Sequence, residues 1–294
     1  MNLNLLIERR NHDLGGGFLV GRLLPHARRR MVGPFTFFDH MGPLDVKAGA
    51  DRAIDVRPHP HIGLSTVTYL YSGAITHRDS LGSHQEILPG EVNWMTAGRG
   101  ITHSERLEAA RRRGAVMHGV QAWVALPKEQ EDMAPAFFHH QGPDDLPEFH
   151  EDGITGRLIA GTIDGVSART PTYSPLFYLH WKMDAGARRS LGTQYPERAI
   201  YVAMGQIEVG GQRVSAGQMA VLDPGHTIQV AARQPSTVML LGGEPIGERF
   251  MFWNFVSSSK ARIEQACEDW RTLRMPLPVG DDQEFIPLPE RRKG

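Results

Sequence analysis

A chain of 294 residues, 40% hydrophobic and 22% charged, holds enough apolar material for one large domain or two of ordinary size. Its formal net charge of −1 excludes a global field that would draw it to nucleic acid or to a membrane surface. Cys267 is the single cysteine, so an intramolecular disulfide is impossible and stability must come from packing.

The N-terminus lacks the basic, apolar, small-residue order of a signal peptide, and no apolar run approaches the roughly 20 residues of a spanning helix. The chain therefore reads as cytoplasmic, with no membrane partner. The short basic runs Arg28–Arg30, Arg111–Arg113 and Arg291–Lys293 read as solvated turns. With 32 glycines and 20 prolines the composition favours many turns and short strands over a helical bundle.

Taken in chain order, Phe35, Phe37 and Phe38 read as core residues of the N-terminal half. "STVTYLYSG" (65–73) alternates Val67, Tyr69 and Tyr71 with Thr66, Thr68 and Leu70, as a half-buried strand does. His77 and His84 flank a turn and read as surface positions, with a place at the mouth of a pocket as the other reading. "EVNWMTAG" (91–98) is a strand in which Trp94 and Met95 fit core or pocket wall equally well. "GVQAWVALP" (119–127) is the next, with His118 before it and no partner at ligand spacing. "PAFFHHQGPDDLPEFHEDG" (135–153) reads as a connection, with His139, His140 and His150 as loop residues. Strands resume at 175–183, 198–205, 206–211, 219–225, 227–232 and 236–243. The pattern is that of an all-β sandwich or barrel. One helix stands out, in "SSKARIEQACEDWRTLR", where Ile263, Ala266, Cys267 and Trp270 form an apolar stripe and Ser258 or Ser259 can cap it. Cys267 on that stripe reads as a buried, inert thiol.

The halves repeat. Gly73 ends a strand, Pro89-Gly90 opens a turn and Gly98 follows; Gly205, Gly217 and Gly225 match them. Counting from Gly73 and Gly205 sets His59 and His61 against Leu191 and Thr193. Counting from Gly90 and Gly217 sets His103 and Glu105 against Val230 and Ala232. Histidines in "RPHPHIG" (57–63) and "TAGRGITHSER" (96–106) are thus confined to the first half. His59-x-His61 and His103-x-Glu105 each have the spacing that puts two side chains on one face of a strand. Two adjacent strands carrying such pairs would converge three imidazoles and a carboxylate, a set that suits Fe(II), Mn, Co, Ni, Cu or Zn and leaves coordination positions open. Without a thiolate, a closed structural zinc site is not expected.

These blocks resemble a known family. "GPFTFFDHMGP" (33–43), "RPHPHIGLSTVTYLYSGAITHRDSLG" (57–82) and "LPGEVNWMTAGRGITHSER" (88–106) are similar to the cupin metal site as pirins carry it, with the acidic ligand drawn from H-x-E. The resemblance covers most of the chain, more weakly in the second half. It implies a bicupin of two β-sandwich or jelly-roll barrels with a short C-terminal helix. Residues 1–134 would form a metal-binding cupin, 135–152 a linker, 153–257 a cupin lacking ligands, and 258–294 the helix and tail. It also implies His59, His61, His103 and Glu105 as ligands, iron as the metal, and ring cleavage of a flavonol such as quercetin by O2; Glu105, the acidic member of that set, is assigned as catalytic base. The family also implies an alternative, an iron-dependent regulatory protein that meets a protein partner, without direct nucleic-acid binding. Cupin sites host many chemistries, so another small aromatic substrate is a further reading.

Overall fold

The computed structural model describes residues 3–14, 17–132 and 136–290. Gly15 and Gly16, the first two residues of the run Gly15–Gly17, and the basic cluster Arg291–Lys293 lie outside them. The expected all-β architecture is present, two cupin-like units with few helices. Each strand expected between residues 65 and 243 is there; the largest departure is Ala115–Ala125, which starts four residues before the expected 119–127.

One unit lies within Asp13–Leu19, Met41–His140 and Gly247–Gly294. Its larger sheet includes, in order, Phe137–Gln141, Val92–Thr96, Leu64–Ser72 and Ala115–Ala125. Its smaller sheet runs Val56–His61, Ile101–Arg106, Ile75–Asp79 and His84–Ile87. The other unit lies within Met1–His12, Val20–His40 and Gln141–Ile246. Its large sheet includes Gln218–Leu222, Glu197–Met204, Ser236–Gly243, Leu176–Met183 and Ile154–Ile163, and its smaller sheet runs Arg188–Leu191, Ile228–Ala232, Gln206–Val209 and Gln212–Ser215. The core of this unit is aliphatic and aromatic, from Ile154 to Leu240, with Trp181 and Phe177 among its largest members.

Chain order and fold order diverge at both ends. Leu3–Glu8, expected in a domain 1–134, pairs antiparallel with Gln218–Leu222, setting Leu6 opposite Ala220 and Ile7 opposite Met219. It buries Leu5 and Ile7 and covers what would be a bare sheet edge. Phe35 and Phe38 pack there too, with ring centroids 5.4 Å from Tyr178 and 5.1 Å from Tyr201. They serve the core of the second repeat rather than the first. The stretch 135–152, expected as a linker, carries the strands Phe137–Gln141 and Glu148–Glu151. His139, His140 and His150 are therefore strand residues, held by ladders that alternation alone did not reveal.

The C-terminal helix Lys260–Arg271 follows its sequence pattern. Ser259 caps it through Arg262 N, and Ile263, Ala266, Cys267 and Trp270 are buried. They pack on Ile62 and Phe255 of the same unit. Arg111 departs from the solvated reading: it belongs to a short helix, Glu108–Arg113, and lies 3.2 Å from the buried Asp55 carboxylate. Among the described residues, no helix is long and apolar enough to cross a membrane.

Candidate metal centre

Ile101–Arg106 is the middle strand that builds the site. On one side it pairs with Val56–His61, placing His103 opposite His59 and Ile101 opposite His61, with a bulge before Glu105. On the other it pairs with Ile75–Asp79, placing His103 opposite Asp79 and Glu105 opposite His77. The two i, i+2 pairs of the sequence thus lie on adjacent strands. Ligand atoms of His59, His61 and His103 come within 4.8 Å of one another. Glu105 falls outside that triad; its Oε1 accepts from Gln121 Nε2 at 2.7 Å and from Thr68 Oγ1 at 3.2 Å.

Hydrogen bonds fix how the imidazoles are presented. His59 Nδ1 lies 2.9 Å from the Arg57 carbonyl and His61 Nδ1 lies 3.2 Å from the Asn254 carbonyl. A carbonyl only accepts, so each Nδ1 carries the proton and each Nε2 keeps its lone pair. His103 Nδ1 faces His77 Nδ1 at 3.3 Å, and His103 Nε2 is buried with no hydrogen-bond partner among the described residues. A buried lone pair without a donor is costly, and a cation among the three rings would satisfy it.

Electrostatics agree. Burial lowers the pKa of His59 and takes His61 and His103 well below the usual histidine range; neighbouring imidazoles add to the fall at all three. At His59 the Arg57 carbonyl and the Glu105 carboxylate oppose it, which places that carboxylate within electrostatic reach. The rings are therefore neutral near neutral pH, the form that binds metal. His61 and His103 are each 1% exposed, against 6% for His59 and 7% for Glu105, so the little opening there is lies beside the latter pair. The edge of Trp123 meets His61 at 5.0 Å. Trp94 and Met95, read equally as core or wall, are buried, Met95 against Ala97 and Ile101.

Several residues here escaped the sequence reading. His77, expected at the surface, is 1% exposed, bonded to Asp79 and stacked on Phe138 at 4.6 Å. His84 is exposed, as expected. Thr68, Gln121 and Asn254 had no signal beyond their polarity, because their roles depend on which strands become neighbours.

The second unit shows the same frame with the polar set removed. Gly73, Gly90 and Gly98 and their counterparts Gly205, Gly217 and Gly225 all have positive φ, which supports the repeat. Its ladders set Val230 opposite Arg189 and Val209, and Ile228 opposite Leu191. Matched by register, Val230 stands for His103, Ala232 for Glu105, Val209 for Asp79, Ile207 for His77, Arg189 for His59 and Leu191 for His61. Counting along the sequence had set His59 and His61 against Leu191 and Thr193, two residues too far on. The connection 192–196 is longer than its counterpart 62–63, and that length broke the count. Leu191, Ile207, Val209, Val230 and Ala232 are all buried in the aliphatic core.

Comparison with known proteins agrees with this geometry. Residues 17–124 match the family model described as Pirin, and residues 178–276 match the one described as Pirin C-terminal cupin domain. A "Pirin-like protein" of Caulobacter vibrioides is 57% identical over 288 residues, covering 98% of this chain and all of that one. A Pseudomonas aeruginosa protein named "Putative quercetin 2,3-dioxygenase" is 42% identical over 267 residues, covering 90% of this chain and 82% of that one. The crystal structure of quercetin 2,3-dioxygenase from Acinetobacter baumannii superposes with a TM-score of 0.90 at 31% identity, covering 99% of this chain and 96% of that one. With matches across both halves and a relative aligned over nearly its whole length, the chain belongs to the pirin family.

Proposed function

We propose that this protein is a metal-dependent dioxygenase that opens the central ring of a flavonol, with His59, His61, His103 and Glu105 holding the metal and iron its resident ion. The observation that carries the reading is the convergence of three buried imidazoles, with the Nδ1 atoms of His59 and His61 tied to carbonyls and a carboxylate two residues beyond His103. Three neutral nitrogens and one carboxylate, without thiolate, form a donor set for a divalent first-row metal. Such a metal would supply Lewis acidity and a path for electrons between substrate and O2. The dioxygenase names of the Pseudomonas relative and the Acinetobacter structure support the substrate class.

The chain's own part is binding and proton handling. Glu105 is the acidic group beside the triad, and we assign it as the base that takes the flavonol hydroxyl proton. Gln121 and Thr68 both hold Oε1, so the carboxylate is kept in one orientation while it accepts that proton. Burial of the triad excludes bulk water from the reacting ring, which opens with uptake of O2 and release of carbon monoxide.

The test is oxygen consumption by Fe(II)-loaded protein with quercetin, beside a Glu105→Ala variant whose bound iron is measured. Metal-dependent uptake that vanishes in an iron-retaining variant supports both the activity and the base. No uptake by the intact, iron-loaded protein overturns the flavonol reading and leaves a metal-binding pirin of different work.

A further inference from the structure

We propose that Asp79 and His77 are positioning residues that set the tautomer of His103 and so keep its Nε2 lone pair pointed into the triad. The geometry is a chain of three side chains on two adjacent strands. Asp79 Oδ2 lies 3.1 Å from His77 Nε2, and His77 Nδ1 lies 3.3 Å from His103 Nδ1. All three residues are buried, at 0% to 1% exposed, so no bulk water intervenes to relax the constraint.

The proton positions follow from one end. Asp79 Oδ1 accepts from the backbone N–H groups of Leu81 at 2.9 Å and Ser83 at 3.0 Å, which pins the carboxylate and leaves Oδ2 for His77. A carboxylate accepts, so His77 carries its proton on Nε2 and its Nδ1 is bare. A bare Nδ1 at hydrogen-bond range requires His103 to donate from its own Nδ1. The Nε2 of His103 is then left as a lone pair, in the place where it has no hydrogen-bond partner among the described residues. His59 and His61 reach the same tautomer through backbone carbonyls. His103 sits on the central strand, its ring faces a side chain instead, and Asp79–His77 does for it what a carbonyl does for the other two. Phe138, stacked on His77 with an interplanar angle of 24°, holds that ring in plane with the task. The second unit, with Val209, Ile207 and Val230 at these register positions, has lost the whole chain together.

The tautomer stands independently of the metal; its consequence for affinity rests on the ligand reading above. Two measurements keep these apart. Long-range 1H–15N correlation on metal-free, 15N-labelled protein reads the tautomers directly. In the wild type, His103 is expected protonated on Nδ1 and bare on Nε2, and His77 the reverse. In Asp79→Asn the amide oxygen stays on the two backbone N–H groups, so the amide nitrogen donates to His77 Nε2. The ring proton of His77 moves to Nδ1, and that of His103 to Nε2. Cobalt(II) titration then reads affinity, expected to fall about 10- to 100-fold in Asp79→Asn. His77→Gln, which can offer a carbonyl to His103 Nδ1, should retain affinity that His77→Leu loses. A purely structural role would leave the tautomers in place and would not separate Gln from Leu. His103 protonated on Nε2 in the wild type, or tautomers unmoved in Asp79→Asn, overturns the proposal. Failure of the wild type to bind cobalt would instead overturn the ligand reading, and the tautomer measurement would still decide this one.

Discussion

At the scale of single residues, the site exchanges ease of burial for ligand power. A buried imidazole gives up solvation that an aliphatic side chain never had, and the second unit shows the aliphatic solution in the same frame, with Leu191 where the first has His61. His61→Leu should therefore separate function from stability. It removes one of the proposed ligands and leaves the Asn254 carbonyl without its donor, while adding apolar surface where exposure is 1%. The expected outcome is metal affinity reduced more than about 100-fold, beyond the loss from disturbing a ligand's supporting partner. Unfolding free energy of the metal-free protein should stay within about 1 kcal/mol of wild type, since a lost donor and gained burial nearly cancel. Urea melts and a metal titration on the same preparation check both halves; unchanged affinity removes His61 from the ligand set. The spacing of His59, His61, His103 and Glu105 was legible because i, i+2 on a strand is a local property. Asp79, His77, Gln121 and Asn254 were not, because a hydrogen bond between strands exists only once their register is known, and a polar residue in a short strand carries no mark of its partner.

Among the elements, the turn after the first histidine pair is tightly constrained. Gly63 has φ of +68°, and a Cβ there would lie 2.0 Å from the Val256 carbonyl oxygen. That carbonyl belongs to the hairpin that also presents Asn254 to His61, and Val256 N donates to Ile62 O at 3.2 Å. Gly63→Ala thus forces left-handed backbone on a residue with a side chain and drives it into main chain that cannot rotate away. Gly82 is the control, with φ of +90° and nothing within 4 Å of its notional Cβ. Gly82→Ala should cost about 1–2 kcal/mol from conformation alone, and Gly63→Ala at least about 3 kcal/mol with weakened metal binding, because His61 moves with the turn. Equal losses in thermal unfolding would show that the hairpin yields freely. Glycine and proline made the strands readable in sequence, and the capped apolar stripe made the C-terminal helix readable. What stayed hidden was which sheet each strand joins. Leu64–Thr68, for instance, is buried on both faces, so alternation said strand without saying which face met the ligands. The pairing of Leu3–Glu8 with Gln218–Leu222 joins residues more than 200 positions apart and has no local signature.

For the molecule as a whole, the two units place their titratable burdens differently, and pH can tell them apart. In the second unit His180 is 5% exposed, directly opposite Arg157 and two residues from Lys182. Burial, with the charges of Lys182 and Arg157 adding to it, pushes its pKa from 6.5 down to about 3. The folded state therefore keeps His180 neutral across an interval in which the unfolded chain takes up a proton. Where the unfolded state binds more protons, stability rises with pH, so acid removes stability progressively as pH falls from 6.5 toward 3. One proton of difference corresponds to about 1.4 kcal/mol per pH unit, which from pH 7 to pH 5 sums to about 2 kcal/mol. His180→Phe abolishes this contribution and leaves the histidines of the other unit in place. Wild type is expected to lose about 2 kcal/mol more than the variant between those two pH values in urea melts, while above pH 7 their slopes run parallel. Identical acid sensitivity would mean that His180 is protonated in the folded state. The repeat in the sequence foretold that apolar residues, Val230 and Ala232, stand in the second unit where the first has His103 and Glu105. It did not foretell that a histidine would be buried at 180, because His180 sits on a strand of the large sheet, away from every position the repeat had set against His59, His61, His103 or Glu105.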